Sequence, residues 1–433
     1  MTSNGGCVHT VILVTCMIVN CCTAITAISE SPSTGILSHS NEYQSIALVW
    51  NVSVDGSRWG VFADDTGSYV VGSDSAHGYS ELLLSKFDAD GNMLWKSKKS
   101  EMTWSEGLDV VSFADRIFVA GAKYGNLTDY SDTLVVQYDG HGKEIWTRQW
   151  NGGHDERARG IDHSGNDVYV TGEILDPSQE KGFLLKYAGD GSLKWSKIVQ
   201  SGRTRLYKLA VDEGSIYLVG TGTMNVNGTA AVVFKYDSDG NQLWTREWEE
   251  ASEGRGVCVS DGYVYLSGFK WESDYSKQDA FLLKYDIDGN LIWDKYWGTN
   301  QTRETVWGIS CGYNRIYIVG GTNNSGSLND DMFILQYNEN GFLLTTMFWD
   351  GGIYDVGYDA ATFGSDTYVV GDGGGFKLWK YTDPSAPSRP KVVDGSEEDA
   401  FVAHLVIAVG VTMSIATIGG TFWILRRRSR RKK

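Results

Sequence analysis

Eight charged residues fall at corresponding places in a repeated unit: Glu156, Arg157, Arg203, Arg205, Glu253, Arg255, Arg303 and Glu304. Carboxylates beside guanidinium groups can hold a polar ligand through charge-assisted hydrogen bonds. The same pairs can instead join one repeat to the next as salt bridges, and the sequence leaves both readings open. Flat aromatics sit nearby. Trp271 and Tyr275 lie in GFKWESDYSK, and Tyr124 and Tyr130 lie in an equivalent loop of another repeat. Such residues suit sugar rings or a partner protein.

Catalytic signals are weak. His154-Asp155-Glu156 is the nearest approach to a catalytic cluster, but no GxSxG, HExxH or phosphate-binding loop accompanies it. Glu249-Glu250 and Asp330-Asp331 are adjacent in sequence, so on a strand their side chains point apart. No catalytic residue is assigned, and a non-catalytic role is expected.

The segments DADGN (88–92), DSDGN (237–241) and DIDGN (286–290) resemble the start of a calcium loop. That loop needs further oxygen ligands and a Glu at its twelfth position, which do not follow. Asp-Gly and Gly-Asn also make hairpin turns, because they tolerate positive φ. These segments are therefore read as turns, with calcium as the alternative, and no cofactor or metal is expected. Of six Cys, only Cys258 and Cys311 lie outside the N-terminal leader. They stand one register step apart in successive repeats. That offset predicts opposite faces of their strands and two buried thiols, with a disulfide as the alternative.

The elements that position these residues are announced by a period. Tyr69, Phe118, Tyr169, Tyr217, Tyr265, Tyr317 and Tyr368 recur at intervals of 48–52 residues, each in an apolar run ending in glycine (Gly72, Gly121, Gly172, Gly220, Gly268, Gly320, Gly371). Repeat 5 serves as the type. It holds strand-like segments at 254–260, 263–268, 280–286 and 290–297 with alternating or β-branched content. The fourth segment carries Trp95, Trp146, Trp195, Trp244 and Trp293, then Leu344, and these aromatics are expected in the core. The last repeat stops after its third strand at 376–382. The first is preceded by YQSIALVWNV (43–52), which reads as an orphan fourth strand, since Trp50-Asn51 matches Trp150-Asn151. Pairing 44–51 with 376–381 closes the array and removes both sheet edges. The expected fold is an all-β, seven-bladed β-propeller with four strands per blade, closed by its N-terminal strand, plus one C-terminal transmembrane helix.

The pattern DVYVTG…FLLKYAGDGSLKW resembles the β-propeller repeats of bacterial and archaeal surface proteins, the SBBP type, over residues 43–382. The GNLIW-type turn is similar to blades of quinone-dependent dehydrogenases. The resemblance implies architecture and implies no shared reaction.

The ends address a membrane. Residues 1–27 read as a signal peptide, cleaved or retained, and 28–42 as a linker. Residues 383–400 read as a Pro- and acid-rich stalk. Residues 401–425 lack Asp, Glu, Lys and Arg and suffice to span a bilayer. Seven basic residues follow at 426–433, which predicts a cytoplasmic tail and an external propeller. The net charge is −16, with 54 acidic residues against 31 basic ones before that tail. Such a body disfavours nucleic acid.

The stalk leaves after a third strand. The loops joining strands two to three and four to one therefore share the face pointing away from the membrane, here called the top. Five glycosylation sequons, Asn51, Asn126, Asn227, Asn300 and Asn323, map to that face. The expected function is recognition of a surface glycan or protein through the top by a monomeric propeller. A propeller enzyme, carbohydrate-active or quinone-dependent, and a passive coat component are the alternatives.

Overall fold

The structure is a computed structural model. It describes residues 46–386 apart from 77–78, 100–103, 126–129, 201, 225–227, 251, 272–276, 300–301, 324–329 and 353. The leader, most of the stalk, residues 401–425 and the basic tail lie outside the described residues. Among the described residues, no helix is long and apolar enough to cross a membrane.

Every described element is a strand, and there are 28 of them. Each repeat begins with an inner strand: Ser57–Asp64, Trp104–Phe113, Glu156–Ser164, Thr204–Asp212, Ser252–Ser260, Arg303–Gly312 and Asp355–Phe363 for repeats 1 to 7. These pack side by side in a closed cycle, each against the next, with the inner strand of repeat 7 against that of repeat 1. The fold is an all-β propeller.

Seven separate four-stranded sheets were expected, and the hydrogen bonding corrects this. Five four-stranded sheets stand alone, and the other eight strands form one sheet. The eight-stranded sheet comprises repeats 5 and 6, each an antiparallel meander, joined by a single parallel bridge between Gln278 and Arg303. Side chains draw the two edges together there. Arg303 Nε and Thr305 Oγ1 both donate to Gln278 Oε1, at 3.3 and 3.0 Å.

The array closes as the orphan strand predicts. Ala47–Ser53 pairs antiparallel with Phe376–Thr382. The register differs from the expected one. Trp50 faces Lys380, the place that Trp146 holds opposite Gln137, so Trp50 is the counterpart of Trp146 and not of Trp150. Asn51 consequently lies within the strand opposite Trp379, not in a loop. In repeat 6 the same register gives the tryptophan place to Thr345, not Leu344.

Packing explains the tryptophans. Tyr69, Phe118, Tyr169, Tyr217, Tyr265, Tyr317 and Tyr368 are all buried, as expected. The fourth-strand tryptophans meet the expectation of core placement only in part. Trp146 is buried, whereas Trp95, Trp195, Trp244 and Trp293 are half-buried at the outer edge. Each lies over the third-to-fourth-strand turn of the next repeat, against Gly142, Gly191, Gly240, Gly289 and Gly341 in order. Trp95 Nε1 donates to Gly140 O at 3.1 Å and Trp244 Nε1 to Ile287 O at 3.1 Å. Trp50 repeats this across the closure, over Gly91 and onto Ala89 O at 3.0 Å. Repeat 7 has no such turn, because its third and fourth strands come from opposite ends of the array.

Those turns keep their own acids occupied. Asp88 Oδ1 accepts from the backbone of Asp90 and Asn92 at 3.0 and 2.8 Å, and Asp237 and Asp286 do the same. Gly91, Gly240 and Gly289 sit at φ +86°, +78° and +80°. This is turn geometry.

The expectation for the cysteines is overturned: Cys258 and Cys311 form a disulfide, with Cα atoms 6.0 Å apart. The expectation treated opposite faces as divergent. In a radial array successive sheets stack face to face, so the far face of one inner strand meets the near face of the next. Both cysteines lie between repeats 5 and 6, against a core that includes Tyr265, Ile309 and Ile316.

Candidate functional site

Every inner strand carries a β-bulge at one shared position. The unpaired residues are Trp59, Leu108, Arg159, Tyr207, Arg255, Trp307 and Tyr358. A bulge re-aims a side chain away from the ladder. Here all seven turn inward and, with Lys208, line one cavity of about 100 Å³ at the top of the axial channel. The bulge also explains the repeated glycines. A Cβ on Gly121, Gly172, Gly220, Gly268, Gly320 or Gly371 would collide with the carbonyl oxygen that the bulged strand pushes toward it.

The cup is aromatic and cationic. Trp59 and Tyr358 have ring centroids 4.9 Å apart, and Trp307 meets Tyr358 edge-on at 6.2 Å. The Arg255 guanidinium lies 4.3 Å from the Tyr207 ring and 4.9 Å from Trp307. It is paired with Glu253, and its buried Nε has no hydrogen-bond partner. Arg159 donates from Nε and Nη2 to Glu173 Oε1 at 2.9 and 2.6 Å. Burial pushes the Tyr207 hydroxyl pKa up and that of Tyr358 up to about 12.

A buried ion triad floors the cup. The residues just past the bulges are Gly60, Asp109, Gly160, Lys208, Gly256, Gly308 and Asp359. Lys208 Nζ reaches across the axis to Asp109 at 2.9 Å and Asp359 at 3.0 Å. The second oxygen of Asp109 accepts from Ile161 N at 3.0 Å, and Asp359 Oδ2 also accepts from Val61 N at 3.2 Å. Each carboxylate thus ties its own inner strand to the next. Burial raises Asp359 to about 6 despite Lys208, which opposes the shift. Below the triad the channel widens to about 300 Å³, with Asp162, Asp212 and the disulfide in its wall. Burial raises Asp162 to about 7.

Of the residues singled out in the sequence, only Arg255 reaches the cup, with Glu253 as its partner. Arg205 pairs with Glu180 from the preceding repeat, the inter-repeat bridge foreseen as one of two readings. Arg157 pairs with Asp155 at 3.4 Å and lies over Tyr124, whose hydroxyl donates to Glu106 at 3.2 Å. Arg203 and Arg303 are exposed at the rim. Tyr130 is 62 % exposed. Trp271 is half-buried, edge-on to Phe269 of its own strand at 5.2 Å. Tyr275, Asn126, Asn227 and Asn300 lie outside the described residues, and Asn323 ends a strand, half-buried.

His154 is half-buried, with Nε2 3.3 Å from Asp176, and its backbone N–H donates to Glu156 Oε1 at 2.6 Å. Glu156, Glu304 and Asp355 stand at or next to the start of the inner strands of repeats 3, 6 and 7, are all buried, and each keeps one carboxylate oxygen without a partner. Burial raises Glu304 to about 7, and Asp279 adds to the shift. Glu304 lines a second top-face cleft of about 460 Å³ with Trp297, Thr322 and Asp331.

The sequence reading missed Trp59, Tyr207, Trp307, Tyr358, Arg159, Lys208, Asp109 and Asp359. The signal was present in the repeated glycine of the second strand, which marks the facing bulge.

The fold and its axial cup define a β-propeller whose seven inner strands present one side chain each at a common mouth. No protein-family model matches the chain, and no curated protein matches it. Among solved structures, it is similar to the β-propeller domain of the Trilobed protease from Pyrococcus furiosus, at 9 % identity and a TM-score of 0.47, covering 78 % of this chain and 98 % of that one. It is also similar to the subtype N10 neuraminidase-like protein of A/little yellow-shouldered bat/Guatemala/060/2010, at 12 % identity and a TM-score of 0.40, covering 70 % and 99 %. At these scores neither likeness carries an argument about the function of this chain.

Proposed function

We propose that this chain is a membrane-anchored external propeller that binds the end of a surface glycan, without catalysis, in the axial cup of its top face. One observation carries the reading. The single bulge position of the seven inner strands supplies four aromatic rings and two arginines to one small cavity. Aromatic faces stack on the apolar faces of sugar rings, while fixed polar groups take the hydroxyls. Arg255 Nε, buried and unpartnered, offers a donor to such a ligand. Tyr207 and Tyr358 are pushed away from the phenolate form, which favours binding over nucleophilic chemistry.

The reading extends to the rest of the chain. Counting the merged sheet as two blades makes the propeller seven-bladed, of the surface-repeat type. The Cys258–Cys311 bond supports an oxidising compartment. Residues 401–425 hold the protein in the membrane as a monomer, with the basic tail inside and the sequons outside.

The test is a glycan array probed with the full chain in detergent, followed by calorimetry on the best ligand. Trp307→Ala should weaken binding about thirtyfold, the effect of losing roughly 2 kcal/mol at an aromatic anchor. An array with no hits, or hits indifferent to both Trp307→Ala and Tyr358→Ala, would overturn the proposal.

A further inference from the structure

Three carboxylates meet on the top face where repeat 6 passes to repeat 7. Asp331 opens the third strand of repeat 6, Asp350 follows its fourth strand, and Asp355 opens the inner strand of repeat 7. One oxygen from each lies within 4.8 Å of the other two. Asp355 is 1 % exposed. Its Oδ2 accepts from the backbone N–H groups of Gly351 and Gly352. Its Oδ1 is buried and has no hydrogen-bond partner. A buried anionic oxygen left unpaired is costly unless a cation answers it.

The molecule holds its own control. The junction of repeats 2 and 3 places Asp132, Asn151 and Glu156 at the same three positions, with the same separations of 19 and 5 residues. There the middle residue is an amide, and Asn151 Nδ2 donates to Asp132 at 2.7 Å. At the junction of repeats 6 and 7 that amide is replaced by Asp350. The donor is lost, and a third negative charge stands in its place.

We propose that Asp331, Asp350 and Asp355 bind a divalent hard cation of the calcium class. The donors are all carboxylate oxygens, with no nitrogen or sulfur ligand, which suits calcium over zinc. Calcium holds its oxygens at about 2.3–2.6 Å, so oxygens sharing one ion lie at most about 5 Å apart. The three oxygens here meet that limit. Asp331 also lines the open cleft of about 460 Å³, which gives the ion a path. The ion pins the inner strand of repeat 7 to repeat 6, beside the seam that closes the ring. This site is independent of the cup.

The full chain in detergent, stripped with EDTA, is titrated with Ca²⁺, Mg²⁺ and Tb³⁺. The readouts are the melting temperature and terbium luminescence sensitised by the neighbouring Trp349. One Ca²⁺ per chain is expected, with a Kd in the range of about 10⁻⁴–10⁻³ M seen for extracellular modules. The melting temperature should rise on binding, and Ca²⁺ should displace the terbium signal. Asp350→Asn restores the amide found at position 151. It should abolish the response while melting, in EDTA, no lower than the parent. Asp331→Asn, the second variant, should also lose the response, and both leave the loops of Asp88, Asp237 and Asp286 intact. Absence of saturable Ca²⁺ binding, saturation by Mg²⁺ alone, or an unchanged response in both variants would overturn the assignment.

Discussion

Replacing Lys208 by Met removes the one cation that serves two buried carboxylates. The Lys208, Asp109 and Asp359 side chains are 18 %, 8 % and 6 % exposed, so water replaces little of the lost partner. Removing one member of a buried ion pair costs about 3–5 kcal/mol, because the other charge stays buried. With two carboxylates stranded, the upper half of that range applies at about pH 8, and it corresponds to roughly 6–10 °C in Tm for a domain of this size.

The effect has a pH signature. The folded-state pKa of Asp359 is raised to about 6 from an ordinary 3.8, first by burial. The native chain therefore binds more protons than the unfolded chain between those values, and this carboxyl's contribution to stability falls as pH rises through that window. Lys208 opposes the shift, so removing it carries the window further upward. The gap between Lys208→Met and the parent should be small near pH 5 and widen toward pH 8. Thermal and chemical denaturation at both ends of that range measure it. A loss below about 1 kcal/mol at pH 8, or a gap that does not change with pH, would refute the view that the triad is a paired, buried floor.

Four further perturbations probe the frame. Deleting residues up to Ser53 exposes the edge of Phe376–Thr382 and should cause aggregation; a soluble monomer of unchanged Tm would contradict closure. Trp244→Ala removes the ring over Gly289 and should cost about 1–3 kcal/mol in urea unfolding, below the full value for a core tryptophan because the ring is half-buried. Glu304→Gln removes a carboxyl raised to about 7 from 4.5. Parent and variant should be alike near pH 4.5, and the variant should gain as pH rises through 7, by at most about 3 kcal/mol. Reducing Cys258–Cys311, which spans 53 residues, should lower stability by about 2–4 kcal/mol, and Cys258→Ser should abolish the effect of reductant.

The period, the buried tyrosines and the closing strand were legible because each is a pattern that a β-sheet imposes on sequence. Residues facing a core must be apolar, and a missing strand at one end must be supplied from the other. The register of that strand was less legible. The Trp-Asn dipeptide at Trp50 matches that at Trp150, but pairing with Lys380 places Trp50 where Trp146 sits, and only hydrogen bonding separates the two. The disulfide was hidden because alternation along one strand says nothing of residues that meet between two stacked sheets, as Cys258 and Cys311 do. The cup was largely hidden for a related reason. Alternation assigns Trp59, Tyr207, Trp307 and Tyr358 to a strand face, whereas a bulge turns them to the axis. Lys208 finds Asp109 and Asp359 across 99 and 151 residues, a pairing no local pattern announces.

The central claim is that recognition happens at the axial cup and not on the outer loops of the same face. Calorimetric titration of one array-selected oligosaccharide into the parent, Trp307→Ala and Trp271→Ala tests it most directly. Trp307 lies in the cup, while Trp271 sits at the rim against Phe269. Trp307→Ala should lose about thirtyfold in affinity and Trp271→Ala should keep a near-parental Kd, with both variants melting near the parent. Loss of binding in Trp271→Ala with an intact response in Trp307→Ala would contradict it and move the site to the rim.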